Sequence, residues 1–158
     1  MATTDATMPE AGAKAPAFSG KDQNGKNVKL SDFKGQKVVV YFYPKDDTPG
    51  CTKQACSLRD NIGDLQNSGI AVIGVSKDSV ASHEKFATKY SLPFSLISDE
   101  DLAIHHKYGT YGEKNMYGKK TMGVKRTTFL IDEKGVIVDV IKRPNTSAHA
   151  EEVLKRFS

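Results

Sequence analysis

Two runs leave this chain little choice of architecture. Val38–Tyr43 (VVVYFY) and Ile70–Val75 (IAVIGV) are apolar and largely β-branched, with no polar residue in alternation. A strand that faces water on one side alternates apolar and polar residues, so each of these is predicted to be buried on both faces. Between them Ala55, Leu58, Ile62 and Leu65 recur at helical spacing, and Gly69 offers a C-terminal stop. Strand, helix and strand in this order make a right-handed parallel crossover. The predicted class is therefore α/β, with a mixed central sheet flanked by helices.

The remaining segments fit around that unit. "AFSGKDQNGKNVKL" reads as an N-terminal β-hairpin turning at Asn24-Gly25. Helices are predicted from Ser79 to Tyr90, over residues 99 to 107, and from near Ser147, where Ala150, Val153, Leu154 and Phe157 share a face. "TTFLID" and "VIVDVI" flank "EKG" as an antiparallel hairpin. "YGTYGEKNMYGKKTMG" has no clear period and four glycines, and is read as a long loop. Residues 1–15 are predicted to be a disordered tail. Residues 16–158 form a single domain, a length that suffices for one core. The N-terminus has no apolar leader segment, and the longest apolar runs are too short to span a bilayer, so a cytoplasmic protein is expected. Its 23 basic and 19 acidic residues are interspersed. The densest basic stretch, Lys114, Lys119, Lys120, Lys125 and Arg126, lacks stacking aromatics apart from Tyr117. Neither nucleic acid nor membrane is expected as a partner.

The chemistry concentrates in "YPKDDTPGCTKQACSLRD", residues 43–60, which holds both cysteines. Thr48 is a natural N-cap and Pro49 suits the first helical position, which puts Cys51 in the first turn of a helix. Free backbone N–H groups and the helix dipole there favour thiolate over thiol. A free thiol titrates near ~8.5, and helix N-termini with cationic neighbours bring it to roughly 3.5–7.5. Cys51 is thus expected to have a lowered pKa and to be a nucleophile at neutral pH; the alternative is an inert core cysteine. Cys56 lies five residues on. In a continuous helix that is a rise of ~7.5 Å and a rotation of ~140°, so the two Cα atoms stand roughly 8–9 Å apart. A disulfide needs less than about 7 Å. Either Cys56 is a passive core residue, or the first turns unwind for a bond to form. Cys-x4-Cys is not a zinc spacing and has no second ligand pair; His105 and His106 are adjacent, while His83 and His149 stand alone. Neither a metal nor a cofactor is expected.

"PKDDTPGC", with Pro44, Thr48 and Cys51, matches the Pro-x-x-x-Thr-x-x-Cys signature of peroxiredoxins. Together with Cys56 in "CTKQACSLRD" and with "GEKNMYGKKTMGVKRTTFLID", the chain from about Gly12 onward resembles the peroxiredoxin Q type, also called bacterioferritin-comigratory proteins. The resemblance implies a thioredoxin-like fold and a thiol peroxidase acting on hydroperoxides. In it Cys51 is the peroxidatic cysteine and Cys56 the resolving one, joined after local unfolding as an intramolecular disulfide that thioredoxin or a similar dithiol reduces. Arg126 matches the family's invariant arginine, the Thr48 hydroxyl sits beside the sulfur, and Pro44 shields the thiolate from water. Relatives of this arrangement are usually monomers. Two positions depart from the pattern: Gln54, often glutamate, and Tyr111, often tryptophan. A redox sensor or partner-binding protein switched by the Cys51–Cys56 disulfide is the alternative. A thioredoxin-type reductase would need Cys-x-x-Cys, which is absent.

Overall fold

The computed structural model describes residues 8–116 and 118–157. In chain order its elements are β1 (Ser19–Lys21), β2 (Asn27–Lys29), a 3-10 turn (Leu30–Phe33), β3 (Lys37–Phe42), α1 (Pro49–Asp60), α2 (Ile62–Asn67), β4 (Ile70–Ser76), α3 (Val80–Tyr90), β5 (Ser95–Ser98), α4 (Ala103–Tyr108), β6 (Tyr111–Met116), β7 (Lys119–Val124), β8 (Thr127–Ile131), β9 (Ile137–Ile141) and α5 (His149–Phe157). Seven strands form one sheet in the order β2-β1-β5-β4-β3-β8-β9, and β6 pairs with β7 apart from it.

The two apolar runs occupy the centre of the sheet. β3 and β4 pair in parallel, Val38 with Ala71 through Phe42 with Val75. β5 continues the parallel set, while β8 closes on β3 antiparallel. Val39, Tyr41 and Tyr43 enter a core cluster with Cys51, Leu58, Phe86 and Val153. Val38, Val40 and Phe42 enter a second cluster with Ile104, Tyr108 and Phe129. The strand does alternate, but both faces are apolar, which erases the period from the sequence. Tyr41 sits opposite Gly74, where a Cβ would stand 3.0 Å from the tyrosine ring and hydroxyl. Only a glycine leaves that ring its place.

Several expectations hold in detail. The first hairpin turns at Gly25 (φ +76°), with the Asp22 carboxylate accepting from the Asn24 and Lys26 N–H groups. The Ser79 hydroxyl caps α3 by accepting from Ser82 N–H.

Others are corrected. The predicted continuous helix through Leu65 breaks at Asn61, whose side-chain amide donates to the Ser57 carbonyl, the acceptor an unbroken helix would give to the Asn61 N–H. The supposed long loop is mostly the β6–β7 hairpin, with Gly118 (φ +77°) at its turn. Its register is set by backbone pairing, and most of β7 is exposed, so no apolar period marks it. Residues 1–7 lie outside the described residues. Gly12, Ala13 and Ala15, assigned to the tail, exchange backbone hydrogen bonds with Ile137 and Gly135, so this stretch is bound to the edge of the sheet. Among the described residues no helix is long and apolar enough to cross a membrane.

Candidate active site

The site forms where β3 hands over to α1. Thr48 is extended (φ −108°, ψ 156°), Pro49 begins the helix, and Cys51 lies in its first turn, 1% exposed. The Thr48 carbonyl accepts the first helical bond, from Thr52 N–H at 2.8 Å. First-turn N–H groups have no partner within the helix, so the sulfur sits at the positive end of the dipole.

Arg126, between β7 and β8, reaches this turn from across the sheet. Its Nη2 donates to Cys51 Sγ at 3.3 Å and its Nη1 to Gln54 Oε1 at 2.7 Å. Cys51 and Gln54, three apart on α1, therefore share one guanidinium. The glycine of Pro-Gly-Cys matters here: a Cβ at Gly50 would lie 3.1 Å from Arg126 Nη2, tighter than nearly all real contacts. Gln54 carries no charge, so the guanidinium is oriented without being neutralised.

The remaining sequence-predicted residues are placed less directly. The Thr48 hydroxyl donates to the Lys45 carbonyl at 2.9 Å, so its proton is committed there and only its lone pairs face other groups. Pro44, half-buried, lies two residues past the end of β3 and has no N–H to offer water. Cys56 lies on the same unbroken helix as Cys51, half-buried, and both are free thiols. The separation of roughly 8–9 Å set by helix geometry therefore stands in this state.

Sequence reasoning missed the clasp that holds the loop. Asp46, nearly buried, accepts from Tyr43 OH at 2.6 Å and from Ser82 Oγ at 2.8 Å, and its Oδ2 lies 2.6 Å from His83 Nδ1. His83 Nε2 faces the Ile97 carbonyl at 3.0 Å, an acceptor, so Nε2 carries a proton. The Nδ1–carboxylate hydrogen bond joins two buried side chains. Asp78 joins by accepting from Asp46 N–H and Ser76 Oγ. Asp46, Asp78 and His83 hold potential metal-ligand atoms within 4.8 Å of one another. All of these are engaged in the hydrogen bonds above, as befits a structural clasp. One residue on, Asp47 takes a positive φ (55°) and bonds Lys89 and Tyr90 OH; these hold its carboxyl below the usual range. Nothing near Asp46 in sequence announces His83.

On the other side of Cys51 the polar groups are less complete. Gln54 Nε2 and Tyr41 OH are buried without a hydrogen-bond partner. Burial pushes the Tyr41 phenol well above its ordinary range, and negative charge at Cys51 pushes in the same direction. Tyr41 stands opposite Thr128 in the ladder, and the Thr128 hydroxyl bonds His149 Nε2 at 2.9 Å. His149 Nδ1 lies 3.0 Å from Glu152, while burial holds its pKa down, opposed by that carboxylate. This joins α5 to the floor of the site, and Ser57 Oγ joins it to α1 by accepting from Ala150 N–H.

A buried thiol at a helix N-terminus, covered by a guanidinium and set at the C-terminal end of a central parallel strand, defines a thiol peroxidase on a thioredoxin-like scaffold. Comparisons with known proteins agree. Residues 11–140 match the AhpC/TSA family. The putative peroxiredoxin bcp of Coxiella burnetii is 50% identical over 148 residues, 94% of this chain and 98% of the relative. Peroxiredoxin Bcp of Escherichia coli is 48% identical over 145 residues, 92% and 93% of the two chains. The crystal structure of a cysteine variant of Xylella fastidiosa PrxQ superposes with a TM-score of 0.88 at 31% identity, covering 96% of each chain. A cysteine variant of Xanthomonas campestris peroxiredoxin Q gives 0.85 at 35%, covering 98% of each. The chain belongs to the AhpC/TSA family, as a peroxiredoxin of the Bcp or Q type, and is a thiol-dependent peroxidase.

Proposed function

We propose that the chain reduces hydrogen peroxide and organic hydroperoxides at Cys51, resolves the product with Cys56, and is recycled by thioredoxin or a similar dithiol. The observation that carries this reading is the 3.3 Å approach of Arg126 Nη2 to Cys51 Sγ at the first turn of α1. A thiolate there attacks one peroxide oxygen along the O–O axis. The S–O bond forms, the O–O bond breaks, and the leaving oxygen departs as water or an alcohol after taking a proton. Arg126 supplies the fixed charge and N–H donors that stabilise both the thiolate and the oxygen on which charge develops. Pro44 closes the turn without offering water a donor, and the Thr48 lone pairs can receive a hydroperoxide O–H.

The sulfenic acid then condenses with the Cys56 thiol to a disulfide and water. Helix geometry forbids this while α1 is intact, so the first turns of α1 unwind after oxidation. A dithiol reductant returns both thiols. This cycle completes within one chain, consistent with a monomer working in the cytoplasm, where dithiol reductants are maintained.

The test is stopped-flow oxidation of the reduced protein followed by mass measurement after one equivalent of hydrogen peroxide. The wild type should lose two hydrogens as a Cys51–Cys56 disulfide. Cys51→Ser should abolish peroxide consumption. Cys56→Ser should gain one oxygen and stall with thioredoxin, and Arg126→Ala should slow oxidation by about 100-fold or more. Peroxide consumption retained by Cys51→Ser would overturn the assignment.

A further inference from the structure

A cavity of about 660 Å3 opens beside Arg126, and Lys114, Lys125, Lys142 and Arg143 line it together with a single acid, Glu113. Cys51, Thr48 and Pro44 are not part of its wall. Five cations thus face one carboxylate, and that carboxylate's ion pair is with Lys120 at 3.7 Å. Among the described residues Lys114, Lys125, Lys142 and Arg143 enter no ion pair. Three separate segments bring these charges together: β6, the β7–β8 connection and the chain just past β9. β8 pairs with β9 at Thr128–Ile141, so extending that register outward sets Arg126 opposite Arg143. Like charges opposed across strands are destabilising, and among the described residues no carboxylate forms an ion pair with either of these two. Gln54 leaves the far end of Arg126 uncompensated as well. Arg126 uses one N–H toward Cys51 and one toward Gln54, so three of its five donors remain.

We propose that this cavity is an oxyanion site that takes a phosphate or carboxylate group, and that its ligand and the Cys51 thiolate compete for Arg126. The first half stands on charge and shape alone; the second rests on the peroxidase reading of Cys51. Competition follows because one guanidinium serves both anions: an oxyanion that draws it outward weakens its hold on the sulfur. Such coupling is reciprocal for binding, so a thiolate at Cys51 must weaken the oxyanion equally. The oxyanion can arrive free or as part of the hydroperoxide, and these two sources have different kinetics.

The experiment is titration of the reduced full-length protein with inorganic phosphate against chloride at constant ionic strength, followed by calorimetry and amide NMR shifts. Saturable one-to-one binding is expected, weakened tenfold or more in the Lys142→Glu/Arg143→Glu double variant and tightened several-fold in Cys51→Ser. Saturating phosphate should slow oxidation of the wild type by hydrogen peroxide and have little effect on the double variant. A hydroperoxide carrying a carboxylate is then compared with a neutral alkyl hydroperoxide. A preference for the former that disappears in the double variant assigns the site to the substrate's own charged group. Equal rates with both assign it to a free anion. Absence of saturable binding, or binding unchanged in a double variant whose circular dichroism is native, overturns the site. Binding without the Cys51→Ser tightening overturns the competition. Neither result touches the peroxidase reading, which Cys51→Ser kinetics test separately.

Discussion

The stretches on either side of Cys51 are built differently. Upstream, residues 44–48 are clamped: Asp46 receives Tyr43 and Ser82 hydroxyls and pairs with His83, its N–H goes to Asp78, and Asp47 takes Lys89 and Tyr90. Downstream, the 12 residues of α1 have fewer such ties, spread over a longer stretch. Its side-chain bonds to other elements are Arg126 to Gln54 and Cys51, Arg59 to the Tyr90 carbonyl, and Ala150 N–H to Ser57. Two buried polar groups here have no hydrogen-bond partner, Gln54 Nε2 on α1 itself and Tyr41 OH on β3. The contrast matches the chemistry proposed for each part. The loop must hold its shape so that sulfur and guanidinium meet, whereas the helix must let go for the two cysteines to meet.

The largest expected effect comes from breaking the firm side. Asp46→Ala removes the acceptor for two hydroxyls and strands His83 in a fully buried site. Truncating one partner of a buried ion pair typically costs about 3–5 kcal/mol. The urea midpoint should fall accordingly, and amides of the loop should lose hydrogen-exchange protection. If the loss is no greater than for a change on α1, the loop is not the clamped member and the contrast fails.

Next in size is Ser57→Ala, which deletes the acceptor for the buried Ala150 N–H. An unpaired buried donor costs about 1–3 kcal/mol. Because unwinding α1 must break this bond in the wild type, its removal should speed disulfide closure after oxidation, by about fivefold per 1 kcal/mol. Closure is read by quenched mass measurement. An unchanged closure rate with lowered global stability would mean that α1 unwinds only short of Ser57, sharpening where the helix opens.

A smaller effect concerns pH. Burial holds the His149 pKa below its ordinary value, against the pull of Glu152 and with Arg126 adding to the lowering. The unfolded chain then takes up a proton at higher pH than the folded one. This contribution is complete above the unfolded value near ~6.5 and is lost as pH falls below it. Wild type should weaken between neutral and mildly acidic pH by more than His149→Gln does, in urea midpoints measured side by side. Equal slopes would detach His149 from the docking of α5.

The same contrast separates what sequence could tell from what it could not. The central strands were legible because VVVYFY and IAVIGV have no exposed face to hide. The nucleophile was legible because cap, proline, glycine and cysteine are consecutive. Arg126 was legible only by resemblance, since local pattern does not say that a residue 75 positions away touches Cys51. The clasp was not legible at all: Asp46 and His83 are 37 apart, and a lone histidine looks alike on a surface and in a buried pair. The β6–β7 hairpin escaped because its exposed strand lacks an apolar alternation. The break at Asn61 escaped because a single side chain competing for one carbonyl leaves helical spacing intact.

The smallest expected effect tests the loose side at its centre. Tyr41 OH is fully buried, has no hydrogen-bond partner, and lies under α1 against Gly74. Removing a buried group that is already unsatisfied relieves its desolvation and is typically neutral or stabilising, here by no more than about 1 kcal/mol. The ring keeps its packing with Tyr43 and Phe94 in Tyr41→Phe, so no cavity forms. If the hydroxyl is merely tolerated, this variant should melt at the same temperature or slightly higher and be oxidised at the wild-type rate. If instead it donates to Cys51 or to the peroxide once α1 begins to move, oxidation or disulfide closure should slow while stability holds. The second outcome would turn an apparent packing defect into a working part of the site, and would place the boundary between firm and loose beneath the helix rather than at Cys51.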